Sequence, residues 1–77
     1  MQIIVKLING RNIEFEVEAT ETILDIKNRL EESEGISALQ QRLLLGGRQL
    51  KDEQSLEELK VQPGATFNLV LALRGGF

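Results

Sequence analysis

The chain has 77 residues, no Cys, no His and a formal net charge of −3. That length supports one hydrophobic core and not two, and without Cys neither a disulfide nor a thiolate metal site can reinforce it, so stability rests on apolar packing. The missing His removes the commonest general base and metal ligand, and the acids do not show calcium-loop spacing, so the expectation is a protein that is not an enzyme and holds no metal or cofactor. Mild acidity argues against a nucleic-acid partner, because phosphates call for a cationic surface. The longest apolar runs, such as Leu43-Leu44-Leu45, are too short to span a bilayer, and the first residues show no signal-peptide or presequence pattern. A soluble monomer of the cytoplasm and nucleus, with no membrane partner, is the expectation.

Apolar residues alternate from Met1 to Leu7, with Met1, Ile3 and Val5 on one side. They alternate again from Ile13 to Val17, with Glu14, Glu16 and Glu18 turned to water. Asn9-Gly10 lies between the two runs, and Gly tolerates the positive φ of a tight turn with a bulge, so this stretch predicts a β-hairpin. Thr22 then offers a side-chain oxygen as helix N-cap, with Asp25 at the reciprocal position. Ile23, Ile26 and Leu30 follow at helical spacing, and Gly35 ends the helix. Lys27 falls on the apolar side of that helix, where a charge needs a partner.

Gln40 to Leu45 alternates again, Gly46-Gly47 makes a turn, and Arg48 to Leu50 reads as a short returning strand. Leu56 and Leu59 suggest a single helical turn, and Pro63-Gly64 marks another bend. From Thr66 to Leu73 the alternation puts Phe67, Leu69, Leu71 and Leu73 on one side. Period 2 also places Leu44 and Val70 on the face opposite Leu43, Leu45, Leu69 and Leu71, so two apolar residues are expected to face water. A hairpin, a helix and further strands in this order predict an α+β fold, a sheet packed on one main helix that lies in the crossover between sheet halves. The end, Arg74-Gly75-Gly76-Phe77, reads as a tail too flexible to pack.

Met1-Gln2-Ile3, Val5-Lys6, Lys27, Glu34-Gly35-Ile36, Gln40-Gln41-Arg42-Leu43, Gln49-Leu50, Leu69-Val70-Leu71 and Leu73-Arg74-Gly75-Gly76 together resemble ubiquitin, ungapped over essentially the whole chain. Within that family the chain resembles the Nedd/Rub (related-to-ubiquitin) modifiers more than ubiquitin. Ala72 stands where ubiquitin has Arg, and Glu14, Glu31, Glu32, Glu53 and Lys60 lean the same way, while Met1-Gln2 and Ile23 lean back. Ser37-Ala38 replaces the family's Pro pair, Leu59 its Tyr, and Ile8 and Leu44 exchange its Leu and Ile. Loss of the Tyr hydroxyl removes a family hydrogen bond worth about 1 kcal/mol net if its backbone partner turns to water.

The resemblance implies a ubiquitin-like β-grasp with a mixed sheet over residues 1–71, a conjugation tail at 72–76 and a residue 77 removed on maturation. It implies that a processing hydrolase cuts between Gly76 and Phe77, unless Phe77 is foreign to the chain. An activating enzyme then adenylates the Gly76 carboxylate with ATP and takes it as a thioester. A conjugating enzyme passes it to a substrate lysine, on cullin scaffolds for the Nedd/Rub type, and a deconjugating protease reverses the step. Residues without Cβ suit a tail that threads narrow enzyme channels. Leu71, Ala72, Leu73, Arg74 and Gly75 are the stretch the activating enzyme would read, with Ala72 passing a basic gate that excludes ubiquitin. Ile8, Arg42, Leu44, Arg48, Asn68 and Val70 match the family's recognition patch, an apolar centre with a polar rim, and Asp52 matches the family's partner for Lys27. Arg48 and Pro63 occupy the positions of ubiquitin's two main linkage lysines, leaving Lys6, Lys27, Lys51 and Lys60 for chains. A divergent ubiquitin paralogue and a non-conjugated ubiquitin-like binding module remain alternatives.

Overall fold

The computed structural model describes residues 1–72, so the expectations for Leu73, Arg74, Gly75, Gly76 and Phe77 lie outside it. The alternating N-terminal runs form β1 (Gln2–Lys6) and β2 (Asn12–Glu16), paired antiparallel with Ile3 opposite Phe15 and Val5 opposite Ile13. The Gly10 N–H donates to the Leu7 carbonyl at 3.0 Å and the Leu7 N–H to the Arg11 carbonyl at 2.8 Å. Gly10 closes this bulged turn at φ 88°, a conformation that costs an L-residue free energy.

Helix α1 (Ile23–Glu34) begins at the expected cap. Thr22 Oγ1 accepts the Asp25 N–H at 3.3 Å, and the Thr22 N–H donates to Asp25 Oδ2 at 2.9 Å. It ends at Gly35, left-handed at φ 74°, whose N–H donates to the Glu31 carbonyl. Ile23, Ile26, Lys27 and Leu30 form its buried stripe. The last turn holds no basic residue to oppose the helix dipole, and two of its acids are tied down instead. Glu34 meets Arg11 at 3.3 Å, and Glu31 accepts the Ala38 N–H.

After the helix come β3 (Gln41–Leu45), β4 (Arg48–Gln49) and β5 (Thr66–Leu71). The sheet order is β2-β1-β5-β3-β4. Only β1 and β5 run parallel, with Val5 opposite Phe67, so the sheet is mixed; the segment containing α1 crosses from the β2–β1 half to the β3–β4 half, and β5 then takes the central place between β1 and β3. The core lies on the helix side of the sheet. Ile3, Val5, Leu43, Phe67 and Leu69 close against Ile23, Ile26 and Leu30, with Leu50 and Leu56 sealing one end. Leu45 and Leu71, expected in this core, are only half-buried because they stand where β3 and β5 run out.

Three local features depart from expectation or add to it. A 3-10 turn, Ala38–Gln40, joins α1 to β3 where no element was predicted. Ser37 precedes it at φ −55°, within the range that a proline ring enforces, so the backbone keeps a proline-compatible shape without proline. The turn suggested at Leu56 and Leu59 exists as one α-type bond, Leu59 N–H to the Ser55 carbonyl at 3.1 Å, with Ser55 and Glu58 capping each other's backbone N–H groups. It closes through Lys60 at φ 56°, a left-handed residue that is not glycine. Beside Leu59, the Lys51 N–H donates to Gln54 Oε1 at 2.8 Å and the Gln54 N–H returns to the Lys51 carbonyl at 3.1 Å. Here the Lys51 donor is satisfied by a side chain of the same loop and not left to water.

Candidate functional site

The sheet face turned away from α1 carries the residues that alternation sends outward. These are Ile4 and Lys6 from β1, Arg42 and Leu44 from β3, and Thr66, Asn68 and Val70 from β5. Register sets their neighbours. Arg42 lies opposite Val70, Leu44 opposite Asn68, and Lys6 beside Asn68 across the parallel pair. Ile8 lies in the turn that follows β1, two residues past the last pair of the parallel ladder, Lys6 with Asn68. Ile8 is 67% exposed and Val70 is exposed, whereas Leu44 is half-buried between β5 and β4 and not the open side chain expected.

Arg48 does not join this face. Gly46 and Gly47 both have positive φ, 60° and 81°, and form a two-residue hairpin loop that pairs Leu45 with Arg48 and Leu44 with Gln49. Paired residues share a side, so Gln49 is the cross-strand neighbour of Leu44. Arg48 stands at the sheet edge on the side of Leu45. There it lines a shallow depression of about 130 Å³ with Leu45, Gln49, Leu50, Gln54 and Leu59. The lining offers no nucleophile and no general acid or base.

The charges around the apolar centre are of one sign. Lys6 and Arg42 make no ion pair among the described residues, while Glu14 and Glu16 lie on β2 at the far edge. The outer surface around Leu44 and Val70 therefore offers aliphatic contact with cations beside it, suited to an apolar and acidic partner surface.

Lys27 has the partner the resemblance implied. Its Nζ lies 2.6 Å from Asp52 Oδ1, with the Lys27 side chain 9% exposed and Asp52 half in solvent. The ammonium group cannot reach an external electrophile without leaving that pair, so Lys6, Lys51 and Lys60, all exposed, are the accessible lysines.

Near the other end of β3 the last strand, β5, ends. Leu71 lies opposite Gln41, and the Ala72 N–H donates to the Gln40 carbonyl at 2.6 Å, one bond beyond the end of β5. Beneath this point Gln41 is buried. Its Nε2 donates to the carbonyls of Lys27 and Ile36, both at 2.9 Å, tying α1 to the root of the tail, while its Oε1 has no partner. Sequence reading passed over Gln41, although its parity with Leu43 already assigned it to the core face.

Among the described residues no group of three or more His, Cys, Asp or Glu side chains could hold a metal ion, and no helix is long and apolar enough to cross a membrane. The ubiquitin family model matches residues 3–74. This chain belongs to the ubiquitin family. Its fold, one helix on a mixed five-stranded sheet, is the ubiquitin-like β-grasp. It is 46% identical over 76 residues to the ubiquitin-like protein NEDD8 of Dictyostelium discoideum, covering 99% of both chains. To the NEDD8-like protein RUB3 of Arabidopsis thaliana it is 43% identical over 76 residues, covering 99% of this chain and 97% of that one. The NEDD8-like protein RUB1 of Saccharomyces cerevisiae is 39% identical over 72 residues, 94% of each chain. A ubiquitin-like modifier of NEDD8/RUB character is thus the class to which this family member compares.

Proposed function

We propose that this chain is a Nedd/Rub-type modifier attached to other proteins through Gly76. In this reading a hydrolase cuts the Gly76–Phe77 peptide bond and frees the carboxylate. The activating enzyme joins that carboxylate to AMP from ATP, releasing pyrophosphate, and a cysteine thiol of the enzyme then displaces AMP. A conjugating enzyme takes over the thioester, and a lysine amine of a cullin-type scaffold displaces the thiol to leave an isopeptide bond that activates a ubiquitin ligase. A deconjugating protease hydrolyses the same bond. Every catalytic group belongs to these partners, and the modifier is a monomer of cytoplasm and nucleus that contributes a reactive end and a surface.

The observation that carries the reading is full-length similarity to NEDD8 and RUB proteins in a chain with Ala72 ahead of Leu73-Arg74-Gly75-Gly76. Ala72 lacks the cation that ubiquitin presents there, so a gate lined with positive charge admits it and repels ubiquitin. Leu71, Leu73, Arg74 and Gly75 complete the stretch that the activating enzyme reads. Ile8, Leu44 and Val70, rimmed by Arg42 and Asn68, are the docking patch for later partners, with Gln49 in the rim position that Arg48 was expected to fill.

Incubating the chain ending at Gly76 with ATP and purified activating enzymes of each type tests the assignment. A thioester on the Nedd/Rub-type enzyme supports it, and Ala72→Arg should shift charging toward the ubiquitin type. Thioester on the ubiquitin-type enzyme alone would replace it with a divergent ubiquitin paralogue, the reading that Met1-Gln2 and Ile23 favour. If no enzyme charges the chain, a binding module acting through Ile8, Leu44 and Val70 takes its place.

A further inference from the structure

Asn9 and Gly10 form the exposed tip of the β1–β2 hairpin. Asparagine followed by glycine is a reactive pair. The backbone nitrogen of the second residue can attack the side-chain carbon Cγ of the first and close a five-membered imide, and glycine puts no Cβ in the way. The approach is open here, since even a Cβ at Gly10 would meet nothing within 4 Å. The other asparagines differ on both counts. Asn12, Asn28 and Asn68 are held in β2, α1 and β5, and Ile13, Arg29 and Leu69 follow them.

Two hydrogen bonds bear on the reaction in opposite directions. The Arg11 N–H donates to Asn9 Oδ1 at 2.9 Å, which draws electrons from the side-chain carbonyl and makes Cγ a better electrophile. The Gly10 N–H donates to the Leu7 carbonyl at 3.0 Å, and that bond must open before the nitrogen loses its proton and attacks. The net strength of one such bond in an exposed turn slows the step about two- to ten-fold, so the fold delays the reaction without preventing it.

We propose that Asn9 is a self-modification site, at which the turn converts this residue to aspartate and isoaspartate as the protein ages. The Gly10 nitrogen gives its proton to solvent hydroxide and forms a bond to Cγ. The Cγ–Nδ2 bond breaks, and Nδ2 takes a proton from water and leaves as ammonia. Water then opens the imide. Its attack at Cγ gives aspartate, and its attack at the backbone carbonyl carbon of residue 9 gives isoaspartate, in which the main chain runs through the side chain and is longer by one carbon. Either product adds a negative charge beside Ile8 at neutral pH. Isoaspartate also shifts the register between residues 9 and 11, so the turn loses the bond from the Leu7 N–H to the Arg11 carbonyl, now 2.8 Å. Aged molecules are thereby marked at Ile8 in the docking patch. That consequence for docking rests on the reading above, whereas the chemistry at Asn9 does not.

Incubation of the full chain at near-neutral pH and physiological temperature tests the site. Trypsin cuts after Lys6 and Arg11 and releases residues 7–11, in which mass spectrometry reads the change from amide to acid. Methylation by a protein isoaspartyl methyltransferase counts the isoaspartate. A capped synthetic peptide of residues 5–13 gives the rate without the fold. The chain is expected to convert at Asn9 at a rate within about ten-fold of the peptide, faster as pH rises, with Asn12, Asn28 and Asn68 intact. Asn9→Gln, which would have to close a six-membered ring, is expected to stay unmodified over the same period. In the isoaspartate fraction the Leu7 amide should exchange faster with deuterium than in the parent. Conversion more than about ten-fold slower than in the peptide, or earlier at another asparagine, overturns the proposal. A Leu7 amide equally protected in both forms overturns the loss of the turn. A chain that no activating enzyme charges removes the conjugation reading and leaves this site standing.

Discussion

Replacing Gln41 with Leu isolates what a buried amide contributes between the helix and the root of the tail. The side chain is 3% exposed, and its Nε2 donates to the Lys27 and Ile36 carbonyls, both at 2.9 Å. Each net bond is worth about 1 kcal/mol, so losing both costs roughly 2 kcal/mol. Against this, the substitution deletes Oε1, a buried acceptor without a partner, which returns about 1 kcal/mol of desolvation penalty. The expected balance for Gln41→Leu is a loss of about 1 kcal/mol, read as a lower urea midpoint at unchanged m-value and a melting temperature about 4–8 °C lower. Gln41→Ala also leaves a cavity and is expected to cost about 2 kcal/mol more. A Gln41→Leu protein as stable as the parent, or more stable, would refute the reasoning, because the two amide bonds would then contribute nothing beyond the burial of an apolar isostere.

Other substitutions test separate parts of the fold. Asp52→Ala leaves the buried Lys27 ammonium without its partner 2.6 Å away and should cost about 2 kcal/mol, below the full buried-pair penalty because Asp52 is half in solvent. Lys27→Met, which removes the charge itself, should lie within about 1 kcal/mol of the parent, and denaturant titration of the two variants checks the contrast. Lys60→Gly relieves a left-handed residue at φ 56° and, after the added backbone entropy of Gly, should raise the melting temperature by about 2–4 °C in calorimetry. Thr22→Ala removes the N-cap acceptor of α1 and should lower stability by about 1 kcal/mol in chemical denaturation.

Much of this architecture follows from local pattern. The hairpin, the capped helix and the strand through Phe67 and Leu69 are legible because alternation, the Thr22–Asp25 pair and Gly35 each state one element without help from distant residues. The 3-10 turn has no such signal, since the bonds that hold it come from Ser37 and from Glu31 on the helix. Lys27 was legible as a charge on an apolar stripe, but pattern alone did not name its partner 25 residues away. In the candidate site, the pairing of Leu44 with Gln49 follows from the two-residue loop Gly46-Gly47, and it moves Arg48 to the other side of the sheet. Leu44 is half-buried because neighbours on both flanks cover it, a property of the sheet order and not of its own strand.

The central claim is that this chain is joined to other proteins through Gly76. Expressing an affinity-tagged chain in its own cells, isolating its conjugates under denaturing conditions and digesting them with trypsin tests that claim most directly, because cleavage after Arg74 leaves Gly75-Gly76 on the modified lysine. Conjugates that carry Gly-Gly on lysines of cullin-type scaffolds, and that vanish with Gly76→Ala, are the expected result. A tagged chain recovered only unconjugated, or bound to partners equally well with Gly76→Ala, would contradict it.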